Sequence, residues 1–95
     1  MDENVRKELE VLRGMVLTWK KSYLGSAPSD GGGEFLAEDF LQDIENHVSP
    51  YVRRLYDCRY LTGSEAKGFL DFCYQEVEAL RQALSEAAAE QLDTI

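Results

Sequence analysis

Apolar residues recur along this chain at alternating spacings of four and three, the period of helices that bury one face. The first set of repeating positions is Val5, Leu9, Leu12, Val16, Trp19 and Tyr23. The second set is Ala37, Leu41, Ile44, Val48, Tyr51 and Leu55, and the third is Ala66, Leu70, Cys73, Val77, Leu80, Leu84 and Ala87. The pattern predicts an all-α fold with three helices, over about 2–24, 34–59 and 63–91.

Residues 25–33, with the sequence GSAPSDGGG, separate the first two predicted helices. Glycine, proline and serine dominate this segment, and it holds no apolar residue larger than alanine, so it is predicted to be a flexible, exposed linker. A phosphate-binding loop would need a lysine followed by serine or threonine directly after its last glycine. Glu34 and Phe35 stand there instead, which argues against phosphate binding.

Pro50 lies inside the second predicted helix. Proline has no N–H to donate, and its ring clashes with the carbonyl four residues earlier. The second helix is therefore predicted to be kinked or broken at Pro50. Thr62 and Glu65 have the spacing of a reciprocal capping box, which predicts that the third helix begins directly after Thr62.

A chain of 95 residues is long enough for a single domain, assigned here to 1–95. Its apolar stripes are wider than a two-helix seam requires, because additional apolar residues flank each stripe. These are Val11, Met15, Leu36, Phe40, Phe69, Phe72, Ala79 and Ala83. A second helix shortened at Pro50 would leave part of the third uncovered, so the sequence predicts a helical bundle completed by dimerisation. A monomeric antiparallel three-helix bundle is the alternative.

Charge narrows the classes of partner. The net charge is −8, and residues 62–95 hold seven acidic against two basic side chains. Nucleic-acid binding requires clustered lysine and arginine, so no nucleic-acid partner is predicted. No apolar run long enough for a membrane span occurs, and charged residues of both signs, Asp2, Glu3, Arg6, Lys7 and Glu8, interrupt the N-terminal segment where a leader would lie. We therefore expect no membrane partner and a cytoplasmic location.

Candidate chemistry is sparse. Asp43 and His47 are four residues apart on one predicted helix, which offers two metal ligands where a structural zinc site needs four. Cys58 and Cys73 form no CxxC pair, and Cys73 falls on an apolar seam. The sequence therefore predicts no metal site, no cofactor and no catalytic set, and we do not expect an enzyme.

The leading functional prediction is a protein–protein interaction module, acting as an adaptor, chaperone or regulator, whose partner is a second copy of the chain or another helical protein. Apolar flank residues are expected to supply the contact area and two arginines its orientation. The predicted interface residues are Val11, Met15, Phe69, Phe72, Arg53 and Arg54.

Two alternatives remain open. One is a small-anion-binding bundle or enzyme that uses Arg13, Arg53 and Arg54. The chain resembles the small dimeric all-α chorismate mutases, and this resemblance rests on length and three-helix layout alone. The other is an acidic mimic of nucleic acid that inhibits a basic partner.

Overall fold

All regular structure in the described part of the chain is helical. The structure, a computed structural model, describes the backbone of residues 1–28 and 33–93 and the side chains of residues 1–28 and 33–87. The helices are α1 (Glu3–Gly25), α2 (Phe35–Asp43), α3 (Ser49–Asp57) and α4 (Gly63–Asp93). A π-helical turn, Ile44–Val48, joins α2 to α3. The predicted all-α fold with three helical segments is confirmed.

Local sequence signals place the helix ends. Asp2 caps α1, because its Oδ1 accepts from the Asn4 N–H at 2.7 Å. The predicted capping box is confirmed at α4, where the Thr62 N–H donates to Glu65 Oε1 at 2.8 Å. The Glu65 N–H returns a bond to Thr62 Oγ1 at 3.1 Å. Of the predicted linker 25–33, residues 29–32 lie outside the described residues.

The helices form an elongated bundle measuring 54 × 18 × 17 Å. α4 packs against α1, α2 and α3, and α1 also packs against α2. Their shared core is Val5, Leu9, Val16, Leu36, Ala37, Phe40, Ile44, Val48, Val52, Leu55, Leu61, Ala66, Phe69, Cys73, Val77, Leu80 and Leu84. The chain thus buries the apolar seam of α4 from Ala66 to Leu84 by itself, except at Leu70, which is half-buried.

Contrary to the prediction from the sequence, Pro50 does not shorten the second helical segment relative to α1, whereas α4, with 31 residues, is longer than both. The α2–π–α3 segment, residues 35–57, is helical throughout and contains 23 residues, as many as α1. No seam position of α4 from Ala66 to Leu84 is left fully exposed. An uncovered third helix therefore gives no reason for dimerisation, and any such reason must come from another surface.

The π turn sets which residues of the second helical segment are buried. Phe40, Ile44, Val48 and Val52 follow one another at intervals of four residues, and each is 0% exposed. In a regular α-helix, side chains four residues apart differ in direction by about 40° around the helix axis, so the later residues of this row would point away from the core. A π turn holds more residues per turn and takes up that rotation. The repeat had instead predicted Leu41 and Tyr51 at the seam, and both are only half-buried.

Pro50 explains where the π turn lies. The Ser49 N–H donates to the Ile44 carbonyl five residues earlier, and Pro50 follows in the first turn of α3. A proline is tolerated there because first-turn N–H groups have no partner within their own helix. The predicted kink or break is thus realised as a wider helical turn that ends just before Pro50.

Polar contacts tie the helices together around this core. The Tyr23 hydroxyl donates to the Asp43 carboxylate and joins the end of α1 to the end of α2. This hydrogen bond to Asp43, with burial adding to it, raises the pKa of Tyr23 to about 12. Lys20 Nζ lies 2.8 Å from Glu76 Oε2 and links α1 to α4. Both contacts are partly buried, so solvent screens them less than surface pairs.

α3 ends in a Schellman motif with arginine at the left-handed position. The Tyr60 N–H donates to the Leu55 carbonyl at 2.8 Å, and the Arg59 N–H donates to the Tyr56 carbonyl at 3.0 Å. Arg59 has φ 67°, a conformation that this motif usually gives to glycine. The strained residue reverses the chain so that α4 returns along α3.

Two substitutions separate the observed core from the one the repeat predicted. Phe40→Ala should lower the free energy of unfolding by about 3–5 kcal/mol, because it removes a fully buried ring and leaves a cavity. Leu41→Ala should cost less than about 2 kcal/mol, since Leu41 is half-exposed. Urea unfolding followed by circular dichroism measures both, and a larger loss for Leu41→Ala would contradict the observed register.

Arg59→Gly should stabilise the chain. Glycine adopts positive φ without a steric penalty, whereas other residues pay about 1 kcal/mol or more there. The higher entropy of glycine in the unfolded state offsets part of the gain, so we expect an increase of roughly 0.5–1 kcal/mol in thermal or urea unfolding. Arg59→Ala serves as the control and should give no such increase, because alanine keeps the Cβ.

Candidate functional site

A groove between α3 and α4 is the first element of the candidate site. It has a volume of about 350 Å³. The residues that line it are Val52, Arg53, Tyr56, Gly63, Ala66, Lys67, Leu70, Asp71 and Tyr74. We call this the α3–α4 groove. It is largely apolar, with the charged groups of Arg53, Lys67 and Asp71 at its margin.

Small residues on α4 keep the groove open. Gly63 and Ala66 face α3 where larger side chains would fill the space, and a Cβ at Gly63 would lie 3.7 Å from the Tyr56 ring. Val52 is fully buried beneath the groove, whereas Tyr56 is 50% exposed and Tyr74 is 39% exposed. The groove therefore has an apolar floor and two exposed tyrosines along it.

A more polar pocket adjoins the groove and shares Arg53 and Tyr74 with it. Its volume is about 570 Å³, and its lining is Glu45, Ser49, Pro50, Arg53, Arg54, Asp57 and Tyr74. We call it the Ser49 pocket. Ser49 is 8% exposed, and among the described residues its Oγ is a buried side-chain oxygen that has no hydrogen-bond partner.

The groove and the Ser49 pocket together form what we call the α3–α4 face. Its charged residues are Arg53, Arg54 and Lys67 against Glu45, Asp57 and Asp71. Three cations and three anions make the face formally neutral, although the whole chain carries a net charge of −8. The excess negative charge is thus carried by residues elsewhere.

The structure divides the six predicted interface residues among four environments. Arg53 and Arg54 are exposed and line the α3–α4 face. Val11 is 64% exposed and Met15 is 41% exposed, both on α1. Phe69 is 5% exposed and belongs to the chain's own core, so its proposed place in an exposed interface is wrong. The six residues therefore do not form one surface.

Phe72 is half-buried because an arginine covers it. The guanidinium carbon of Arg13 lies 4.2 Å from the centre of the Phe72 ring and 5.8 Å from that of Phe69. This cation–π contact holds Arg13 on the side of α1 that meets α4. Arg13 is absent from the lining of the Ser49 pocket, so the trio of Arg13, Arg53 and Arg54 is not gathered there as the anion-binding alternative required.

Val11 belongs to a second groove, which runs between α1 and the π turn. It has a volume of about 410 Å³ and is lined by Lys7, Glu8, Val11, Leu12, His47 and Tyr51. The Tyr51 hydroxyl donates to the Glu8 carboxylate beside it. We call it the His47 groove. Val11 and Arg13 point about 200° apart on α1, so this groove and the Phe72 contact lie on different sides of the helix.

The residues considered for metal and thiol chemistry have ordinary surroundings. Asp43 accepts the Tyr23 hydrogen bond, and His47 is exposed in the π turn. Within the described residues, no group of three or more potential ligands is close enough to hold a metal ion. Burial raises the pKa of the Cys73 thiol to about 11, whereas Cys58 is exposed at the end of α3. No described helix is long and apolar enough to cross a bilayer.

Sequence reasoning missed Ser49, Ala66 and Leu70 as residues of the site. Ser49 had been interpreted only as a possible helix cap beside Pro50, and Ala66 and Leu70 as ordinary seam positions. Nothing in the apolar repeat shows which seam residues border an open groove. The sequence HVSPY, with a serine before proline inside an apolar stripe, was the available signal for an irregular turn.

Comparison with known proteins gives no relative from which a role can be transferred. No protein family, curated protein or solved structure matches this chain.

The two cysteines should differ sharply in reactivity. A thiol whose pKa rises from 9.0 to about 11 has roughly a hundredfold less thiolate at pH 8, and Cys73 is also shielded by the core. We expect Ellman's reagent to label one thiol quickly in the native protein and two in urea. Cys58→Ser should abolish the fast reaction. Two fast thiols in the native wild-type protein would contradict the placement of Cys73.

Proposed function

We propose that this chain is a protein–protein interaction module that self-associates through the α3–α4 face. The observation that carries the proposal is the α3–α4 groove, an apolar depression flanked by exposed Tyr56 and Tyr74 and by Arg53. Tyrosine and arginine are enriched among the residues that contribute most to binding free energy at protein interfaces. The proposal assigns the chain no chemistry of its own.

Burial of the two tyrosines supplies the driving force. Each tyrosine side chain has only two rotatable bonds before its hydroxyl, so little conformational entropy is lost on binding. Covering the groove also removes the exposed part of Leu70 from water. Removal of this apolar surface from water favours association, at about 25 cal/mol for each Å² that is buried, and opposes the entropy lost when two chains associate.

Charge favours the α3–α4 face as the place where a second copy can bind. Two chains that each carry −8 repel one another over most orientations, and the repulsion is smallest where the approaching surfaces are neutral. The α3–α4 face meets this condition. Lys67 already pairs with Asp71 at 2.6 Å, so Arg53 and Arg54 are left to meet Glu45 and Asp57 of a second copy when the face packs against itself around a two-fold axis.

Tyr74 lies at the middle of this arrangement. It lines both the α3–α4 groove and the Ser49 pocket, so a two-fold axis through the centre of the face passes near it. An isologous dimer would then bring Tyr74 close to its symmetry mate, with Arg54 and Lys67 farther out. Four helices, α3 and α4 from each copy, would meet at this interface and complete a larger bundle.

The cytoplasm remains the proposed compartment. It is supported by the free, exposed thiol of Cys58, which persists without pairing in reducing compartments. Within the cell the module would serve as an adaptor, chaperone or regulator. A helix of another protein laid into the α3–α4 groove is the competing occupant.

Light scattering of the purified chain across a hundredfold dilution tests the proposal. We expect twice the chain mass of 10.8 kDa at high concentration and a decrease toward the monomer mass on dilution. Tyr56→Glu should raise the dissociation constant tenfold or more, equivalent to about 1.4 kcal/mol, because it removes an aromatic ring from the groove and adds a negative charge to a neutral face. Tyr56 is half-exposed, so the variant should fold.

Two matched variants locate the interface. Leu17→Glu introduces the same charge at an apolar α1 residue that is 43% exposed and lines neither part of the α3–α4 face, and it should leave the mass unchanged. Val11→Glu tests the His47 groove in the same way. A wild-type monomer at all concentrations, or a dimer disrupted by Val11→Glu but not by Tyr56→Glu, would overturn the proposal.

A further inference from the structure

We propose that the Ser49 pocket binds a single carboxylate group. The juxtaposition that carries this inference is a buried hydroxyl without a partner, Ser49 Oγ, in a pocket also lined by the consecutive arginines Arg53 and Arg54. The inference rests on the geometry of this pocket and does not require self-association.

Ser49 provides the first argument. Buried hydroxyls are almost always hydrogen-bonded, because leaving one without a partner forfeits its interaction with water. Ser49 Oγ has no such partner and is itself inaccessible to solvent, and the residue lines a pocket of about 570 Å³. Rotation about the Cα–Cβ bond would turn the hydroxyl toward this pocket, where a group that accepts a hydrogen bond would satisfy it.

The two arginines supply the second argument. Among the described side chains, neither Arg53 nor Arg54 forms an ion pair within 4.0 Å, although acidic residues outnumber basic ones almost two to one in this chain. A guanidinium group presents parallel N–H donors that match the two oxygens of a carboxylate. Two unpaired guanidinium groups beside a hydroxyl donor therefore favour an oxyanion.

Neighbouring acids decide which oxyanion is favoured. Glu45 and Asp57 line the same pocket, so its formal charge is zero before a ligand binds. A phosphate dianion would meet two carboxylates as well as the field of a chain with a net charge of −8, whereas a monovalent carboxylate meets half that repulsion. Tyr74 adds an aromatic surface, which favours a carboxylate that carries an apolar or aromatic group.

A carboxylate can come from a small organic acid or from an acidic side chain of a second copy. We use sodium benzoate as the probe, with benzamide as its neutral analogue and inorganic phosphate as the dianion, each at constant ionic strength. Titrations of the full chain are followed by two-dimensional ¹H–¹⁵N NMR. We expect saturable shifts at the amides of residues 49–57 and Tyr74 with benzoate, and at least tenfold weaker binding of benzamide and phosphate.

Variants connect these shifts to the pocket. Arg54→Gln should weaken benzoate binding tenfold or more, and Ser49→Ala should weaken it severalfold. Ser49→Ala should leave the urea midpoint unchanged or higher, because it removes a hydroxyl that has no partner in the free protein. Arg6→Gln is the matched control, since Arg6 is an exposed arginine on α1 outside the pocket. It should leave benzoate affinity unchanged.

The outcomes separate this inference from the proposed self-association. Absence of saturable shifts, or equal binding of benzoate and benzamide, would overturn the carboxylate site whatever the mass of the protein. If benzoate binds and the mass is unaffected by it, the source is a small organic acid. If benzoate binds and dissociates the dimer, and Arg54→Gln also weakens the dimer, the source is a side chain of the second copy.

Discussion

The architecture depends on one row of fully buried side chains, Phe40, Ile44, Val48 and Val52. Their four-residue spacing suits the core only because the π turn at Ile44–Val48 widens the helix before Pro50. An uninterrupted α-helix would rotate everything after the turn by about one residue, or 100°. Tyr51 would then replace Val52 toward the core, and the side chains of α3 would meet different neighbours. The turn therefore orients Arg53 and Tyr56 beside α4 as well as packing the interior.

The packed core and the exposed α3–α4 face have different physical causes. The apolar seam of α4 from Ala66 to Leu84 is buried within the chain except at Leu70, which is half-buried beside the α3–α4 groove. The α3–α4 face remains because Gly63 and Ala66 are too small to fill the groove there. Repulsion between two acidic chains disfavours contact over the rest of the surface and is smallest at the neutral face. The apolar groove and the neutral charge are therefore found in the same region, and together they support the proposal of self-association through it.

The two proposals draw on neighbouring parts of that face and are thermodynamically linked. Arg53 and Tyr74 line both the groove and the Ser49 pocket, so a ligand in the pocket alters the surface that a second copy would meet. A carboxylate adds one negative charge to a face that is otherwise neutral. Any coupling between the two events must be reciprocal, because each binding free energy depends on the same groups. Arg13 takes no part in it, since its guanidinium group covers Phe72.

The sequence by itself determined the helical class, the approximate helix bounds and the Thr62–Glu65 cap, because these depend on local periodicity and hydrogen bonds between near neighbours. It also identified Arg53 and Arg54 as surface groups of interest. Only the tertiary structure decided that Phe69 is buried in the core and that Phe40, rather than Leu41, is fully buried. It also decided that Ser49 Oγ has no hydrogen-bond partner. A heptad repeat assumes a constant rotation per residue, so it cannot register a π turn. Whether a residue that flanks the apolar stripe is buried or exposed depends on its neighbours from other helices. The spacing of apolar residues along one helix carries no information about those neighbours.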